Sequence, residues 1–286
     1  MPDQQTDLAF CQDQLRKFDP LHHFMALASL EIHRPALMVL HCFLDEIERI
    51  PLQVSEPTMG EIRLQWWLDV IARENTDLEG RDGLENIGPV ASCLKLIQRN
   101  YNLSPDHLIQ IIEARKFDLY NDPMPDWDTF ETYAGETEAL PLLLAAQILN
   151  DGIVPEISDL CGNAAMAICL TKQLTNFARN ANRQKLYLPF GEFSEAQVNE
   201  AQIWVLESEE DIISVLKPIA NKSHDHHVQA QQEFNSLKEK GQAHLGSAFL
   251  ELALVSARLK QWKKKPLAPK NIPLWKQYWS IWRYGR

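Results

Sequence analysis

The chain has 286 residues, 45% hydrophobic and 23% charged, enough for a sizeable core in one large domain or two small ones. Its formal net charge of -11 excludes general nucleic-acid binding, because attraction to phosphate comes from Lys and Arg. Little Gly and much Leu, Ala, Glu and Gln favour helix.

The five cysteines, Cys11, Cys42, Cys93, Cys161 and Cys169, are scattered, with no CxxC pair. They read as buried thiols in a reducing compartment. The first residues, MPDQQTDLAF, lack a secretory pattern, and no apolar run reaches spanning length. A cytoplasmic location is expected, with any membrane contact peripheral and on the cytoplasmic face.

Helical periodicity dominates throughout. Helices are expected over Leu21–Glu31, Pro35–Ile50, Met59–Glu74 and Glu85–Tyr101. Another is expected over Ser104–Asp122, capped by Ser104 with Asp106 in its first turn. Asp126–Leu149 follows, with a kink or break at Pro141. Then come Ile157–Asn180, Ser194–Ile203, Glu209–Lys240 and His244–Trp262, and a short last helix. The loops are short, and no Ser/Gly linker divides the chain. One all-α domain of roughly ten helices over residues 1–286 is expected.

Several stretches could carry chemistry. In LHCFLDEIERI, Asp45, Glu46 and Glu48 crowd one helical turn and could hold a hard cation. The simpler reading is a solvated acidic face with an Asp45–Arg49 pair. In IRLQWWLDVI, Trp66 and Trp67 point about 100° apart, so one belongs to the core while the other lines a cavity or a neighbouring helix. In EARKFDLYND, Asp118 reads as a mid-helix carboxylate paired with a base or placed at a cavity, or as half of an ordinary surface Arg115–Asp118 pair. SHDHH (His224, Asp225, His226, His227) lacks zinc-site spacing and reads as a polar helix face. In the tail, Trp275, Trp279 and Trp282 form one stripe beside Lys276 and Arg283. That stripe either docks into the core or meets a membrane interface. In LTNFARNANRQKLYLP, Asn176 and Asn180 share one helical face.

In this order, LHCFLDEIERI, IRLQWWLDVI, EARKFDLYND, the Tyr133–Thr137 patch and LTNFARNANRQKLYLP resemble the squalene/phytoene synthase family. The likeness runs from Leu21 to the last helix. It implies an isoprenoid-synthase fold with a central cavity, in which two acidic motifs hold Mg²⁺ against prenyl diphosphates. Such clustered cations neutralise the leaving diphosphate as a carbocation forms.

Both motifs depart from that pattern here. Where active members are similar to DDxxD, this chain has Glu48, Arg49, Ile50, Pro51 and Leu52. Where they resemble DxxxD, it has Asn176 and Asn180. The matching diphosphate-binding positions are Arg63, Gln65, Arg183, Lys185 and Tyr187. Phe43 and Glu46 fit an F-x-x-E pattern similar to the branch that contains a mitochondrial complex I assembly factor.

The resemblance therefore implies a non-catalytic member with no cofactor. Its partner would be a prenyl diphosphate or other lipid, or a protein of a membrane respiratory complex, with possible membrane contact through the Trp stripe. The alternative is an active prenyltransferase joining two prenyl diphosphates. It would need Mg²⁺ on Glu46, Glu48 and Asp118, together with Asn176 and Asn180. A third reading is a purely structural helical module with a filled core.

Overall fold

The computed structural model describes residues 2–73 and 87–285. Among these, every regular element is helical. The chain packs as two compact units. One comprises Met1–Tyr120, Leu140–Glu156 and His244–Ala248; the other comprises Asn121–Ala139, Ile157–Ala243 and Phe249–Arg286.

The first unit contains α1 (Pro2–Phe18), α2 (Pro20–Leu27), α3 (Arg34–Gln53), α4 (Pro57–Ala72), α5 (Pro89–Asn100) and α6 (Pro105–Ala114). Pro20, Pro35, Pro57, Pro89 and Pro105 stand in the first turns of α2 to α6. A missing N–H costs nothing there, and the fixed φ suits a helix start. Glu74, Glu85 and Asn86, at the ends of two expected helices, lie outside the described residues.

Helix α1 is an element that the sequence reading did not assign. It buries Cys11 and Leu15 completely against α3 and α5. Cys11, Cys42 and Cys93 meet at that seam. Hydrogen bonds with Cys42 and Cys93, then burial, push the Cys11 thiol well above its ordinary range. All five cysteines are buried thiols, as expected.

Helix α6 ends at Ala114, short of the expected Asp122. Asp118 lies instead in a 3-10 turn, Phe117–Leu119, and is buried. Ser104 stands at the N-cap, but its side chain makes no capping bond.

The second unit opens with α7 (Trp127–Ala134), a π turn at Gly135–Ala139 and, crossing back into the first unit, α8 (Leu140–Leu149). In an unbroken α-helix the Pro141 ring would clash with the carbonyl of residue 137. The wider turn replaces the expected break. Thr137 is buried there, and its hydroxyl donates to the Tyr133 carbonyl at 2.7 Å.

Helix α9 (Ser158–Ala181) is the axis of the second unit, buried on most of its faces and packed along α12 (Glu209–Glu239). Ser223 donates to the Ala167 carbonyl at 3.1 Å. Its single proton is thereby spent, so Thr171 is the donor in their 2.9 Å contact.

Expected as one helix, Ser194–Ile203 is two: α10 (Phe190–Glu195) and α11 (Glu200–Val205). A capping box interrupts it. Asn199 accepts from the Gln202 N–H at 3.0 Å, and Gln202 accepts from the Asn199 N–H at 2.9 Å. A 3-10 segment, α13 (Leu252–Lys264) and α14 (Leu274–Tyr284) complete the chain.

Candidate functional site

In the first unit, the acidic end of α3 carries Phe43, Asp45, Glu46, Glu48 and Arg49. Phe43 is fully buried and meets Trp67 edge-on at 5.0 Å between centroids. Trp67 is core, whereas Trp66 is 40% exposed, the division expected from their angle. Glu46 and Glu48 are exposed.

Solvent reaches Glu46, yet protein atoms crowd it, and the lost hydration raises its carboxyl above the ordinary range. Asp45 adds to that rise, while Arg49 and Arg63 oppose it. Arg63 is itself exposed and donates to Gln53 at 2.9 Å. Gln65 donates to Asp69 at 2.8 Å.

Two arginines neutralise the remaining carboxylates. Arg49 donates to Asp45 at 3.3 Å, and its guanidinium lies 3.6 Å from the Phe18 ring centroid. Arg115 donates to Asp118 at 3.2 Å and to Glu48 at 3.2 Å. The expected Arg115–Asp118 pair exists, but not at the surface. Arg115 and Asp118 are 7% and 4% exposed. Isolated charges that deep are costly, so the pair is obligatory once buried. Gly60 on α4 leaves space for Leu119, the neighbour of Asp118: a Cβ there would overlap the Leu119 side chain.

Sequence reasoning missed a neighbouring cluster. Asp19 caps α2 by accepting from the His22 N–H at 3.1 Å. It also contacts the His22 ring, which stacks on His41 at 4.5 Å. Burial opposes ionisation of Asp19, but the charge and hydrogen bonds of His22 prevail and hold its carboxyl low. The signal was DPLHH, an N-cap residue before a helix-opening proline.

In the second unit, Asn176 and Asn180 are half-buried on α9. Asn180 donates its amide to Gln173 at 3.1 Å. Its backbone carbonyl accepts from the N–H of Arg183 at 2.9 Å and of Lys185 at 3.0 Å, which forms the basic turn. Gln184 closes that turn with φ 55. Arg183 is exposed, while Lys185 and Tyr187 are half-buried. The Tyr187 ring lies 6.0 Å from that of Tyr133.

The histidine run divides between environments. His227 is buried, 3.0 Å from Ser256 Oγ, so that part of the polar-face reading is corrected. His226 meets Asn163 at 2.8 Å and lines a cleft of about 360 Å³ with Glu131, Asp159 and Met166. Gly135 of the family-matching Tyr133–Thr137 patch also lines this cleft, whereas none of the metal or diphosphate candidates does.

The described residues do not fit a Mg²⁺ cluster. Among the described residues, no group of three or more His, Cys, Asp or Glu side chains is arranged to hold a metal ion. At about 4 Å a guanidinium repels each unit of cation charge by about 4 kcal/mol near a protein surface. Arg115 holds Glu48 and Asp118, and Arg49 holds Asp45, while Asn176 and Asn180 carry no charge.

The squalene/phytoene synthase family model matches residues 22–279. The chain is 25% identical over 260 residues to the bovine (Bos taurus) NADH dehydrogenase (ubiquinone) complex I, assembly factor 6. That match covers 88% of this chain and 72% of the relative. It is 24% identical over 222 residues to the Homo sapiens protein of the same name, covering 76% of this chain and 63% of that protein's length. In structure it is similar to squalene synthase HpnC from Alicyclobacillus acidocaldarius, with TM-score 0.77, 12% identity, and coverage of 94% of this chain and 98% of that one. That likeness shows the isoprenoid-synthase fold. The chain belongs to the squalene/phytoene synthase family.

Proposed function

We propose that this chain is a non-catalytic member of its family that binds a lipid or protein partner and serves the assembly of a respiratory NADH dehydrogenase complex. One observation carries the loss of chemistry: Arg115 draws Glu48 and buried Asp118 into a single ion-paired network. Carboxylates neutralised in this way do not gather divalent cations against a diphosphate. The two α9 amides point the same way. The assembly role rests on the names of the bovine and human relatives.

A second reading, an active prenyltransferase with substitute metal ligands, draws on Glu46, which stays open to water near Arg63. It needs Glu48 and Asp118 as further ligands, and Arg115 holds both.

Deletion of the gene in its native host tests the proposal. The expected result is loss of assembled NADH dehydrogenase complex, restored equally by the native chain and by a Glu46→Gln, Glu48→Gln variant. An intact complex accompanied by loss of an isoprenoid product would contradict it.

A further inference from the structure

The last helix offers a surface that neither the fold nor the proposed role uses. Helix α14 is anchored by one face. Ile281 is fully buried, Tyr284 lies 5.0 Å from Phe234 between ring centroids, and Gly285 packs on Leu250. The opposite face carries Trp275, Trp279 and Trp282, which are 67%, 60% and 41% exposed. At about 100° per residue these three fall within an arc of about 60°. Trp279 and Trp282 stack on each other at 5.0 Å. The expectation that the stripe docks into the core is therefore corrected.

Charge singles out the same region. From Arg258 to Arg286 the sequence has nine Lys or Arg and no Asp or Glu. The rest of the chain has 19 basic and 39 acidic residues. Lys263, Lys264, Lys265 and Lys270 are exposed just before α14, and Lys276 and Arg283 flank the Trp stripe along its length. Exposed indoles bordered by cations, on a helix held to the body by its other face, suit the headgroup region of an anionic bilayer. Indole rings settle at that depth, and the basic residues meet the lipid phosphates. An acidic protein surface would satisfy the lysines but would leave the large apolar stripe without a matching environment. No helix among the described residues is long and apolar enough to cross a membrane, so the contact is interfacial.

We propose that α14 and the lysines before it form a docking surface for an anionic lipid bilayer. This goes beyond the assembly reading and stands whether or not that reading holds.

The test is sedimentation of the full chain with vesicles of phosphatidylcholine containing about a third phosphatidylglycerol, against phosphatidylcholine alone. The native chain is expected to bind the anionic vesicles, and salt should weaken that binding. A Trp275→Ser, Trp279→Ser, Trp282→Ser variant and a Lys263→Gln, Lys264→Gln, Lys265→Gln variant should each bind about tenfold or more weakly. All six positions are exposed, and equal melting temperatures would show that both variants fold. The proposal is overturned if the native chain stays in the supernatant, if salt leaves binding unchanged, or if either variant sediments like the native chain. Ultracentrifugation showing a dimer that the Trp changes abolish, without vesicle binding, would make a second copy the occupant and overturn it too.

Discussion

Arg115 shows how one side chain can hold two carboxylates with unequal force. Asp118 is 5% exposed at its side chain, whereas Glu48 is 59% exposed. The two bonds of the same guanidinium are thus unequal in weight. Glu48→Gln should cost under about 1 kcal/mol, as for an exposed pair. Arg115→Met leaves Asp118 buried without its cation, and should cost about 3–5 kcal/mol. Urea denaturation of the two variants checks the order; equal losses would show that Asp118 draws its stability elsewhere. Arg115 and Asp118 were legible as an i,i+3 pair, because that spacing is local. Their burial and the reach to Glu48, 67 residues away, depend on tertiary packing and were not.

His227 gives a pH dependence at the same scale. Burial lowers its pKa to about 4, from 6.5 for a free imidazole. Between these values the unfolded chain takes up a proton that the folded chain refuses. Stability is therefore full above pH 6.5 and falls as pH drops toward 4, by about 3 kcal/mol. A His227→Asn variant, which keeps a polar partner for Ser256, should flatten the dependence of melting temperature on pH across this window. A slope identical to that of the native chain would assign the effect to other groups.

At the scale of elements, most helices were legible because proline marks their starts and apolar residues recur at helical spacing. The misplaced ends have local causes. Asp118 falls in a 3-10 turn, where i,i+3 neighbours still meet. The capping box at Asn199 divides what read as one helix. At Pro141 the sequence predicted a disruption but not its form. The Asn176–Asn180 face was legible from spacing alone, since α9 runs unbroken from Ser158 to Ala181.

Helix α8 carries a tie that no motif announces. Gln147, 1% exposed, shares its two amide protons among three carbonyls, those of Tyr101 and Asn102 at 2.9 Å and of Gly152 at 3.2 Å. One amide thus satisfies two turns whose residues Asn102 and Gly152 hold positive φ. Gln147→Ala should cost about 2–4 kcal/mol, through unmet carbonyls and a cavity. Denaturant melts read the loss, and a change under 1 kcal/mol would mean that water replaces the amide.

Over the whole molecule, charge and fold carry separate messages. The family match runs from residue 22 to 279, because helix packing needs only the apolar pattern. The carboxylates of a metal–diphosphate centre are not part of that packing, so on the proposed reading Arg49, Asn176 and Asn180 take their places without loss of architecture. Composition showed the net acidity but hid its opposite, the basic Trp-bearing end, because a sum cannot show segregation.

The most direct measurement is Mg²⁺-dependent release of diphosphate from farnesyl and geranylgeranyl diphosphate by the purified chain, alongside an Asn176→Asp, Asn180→Asp variant. The native chain should show no release. The variant should bind Mg²⁺ more tightly but still show no turnover, because Arg49 and Arg115 remain. Diphosphate release by the native chain would contradict the account, and full activity in the variant would show that the α3 carboxylates were never neutralised.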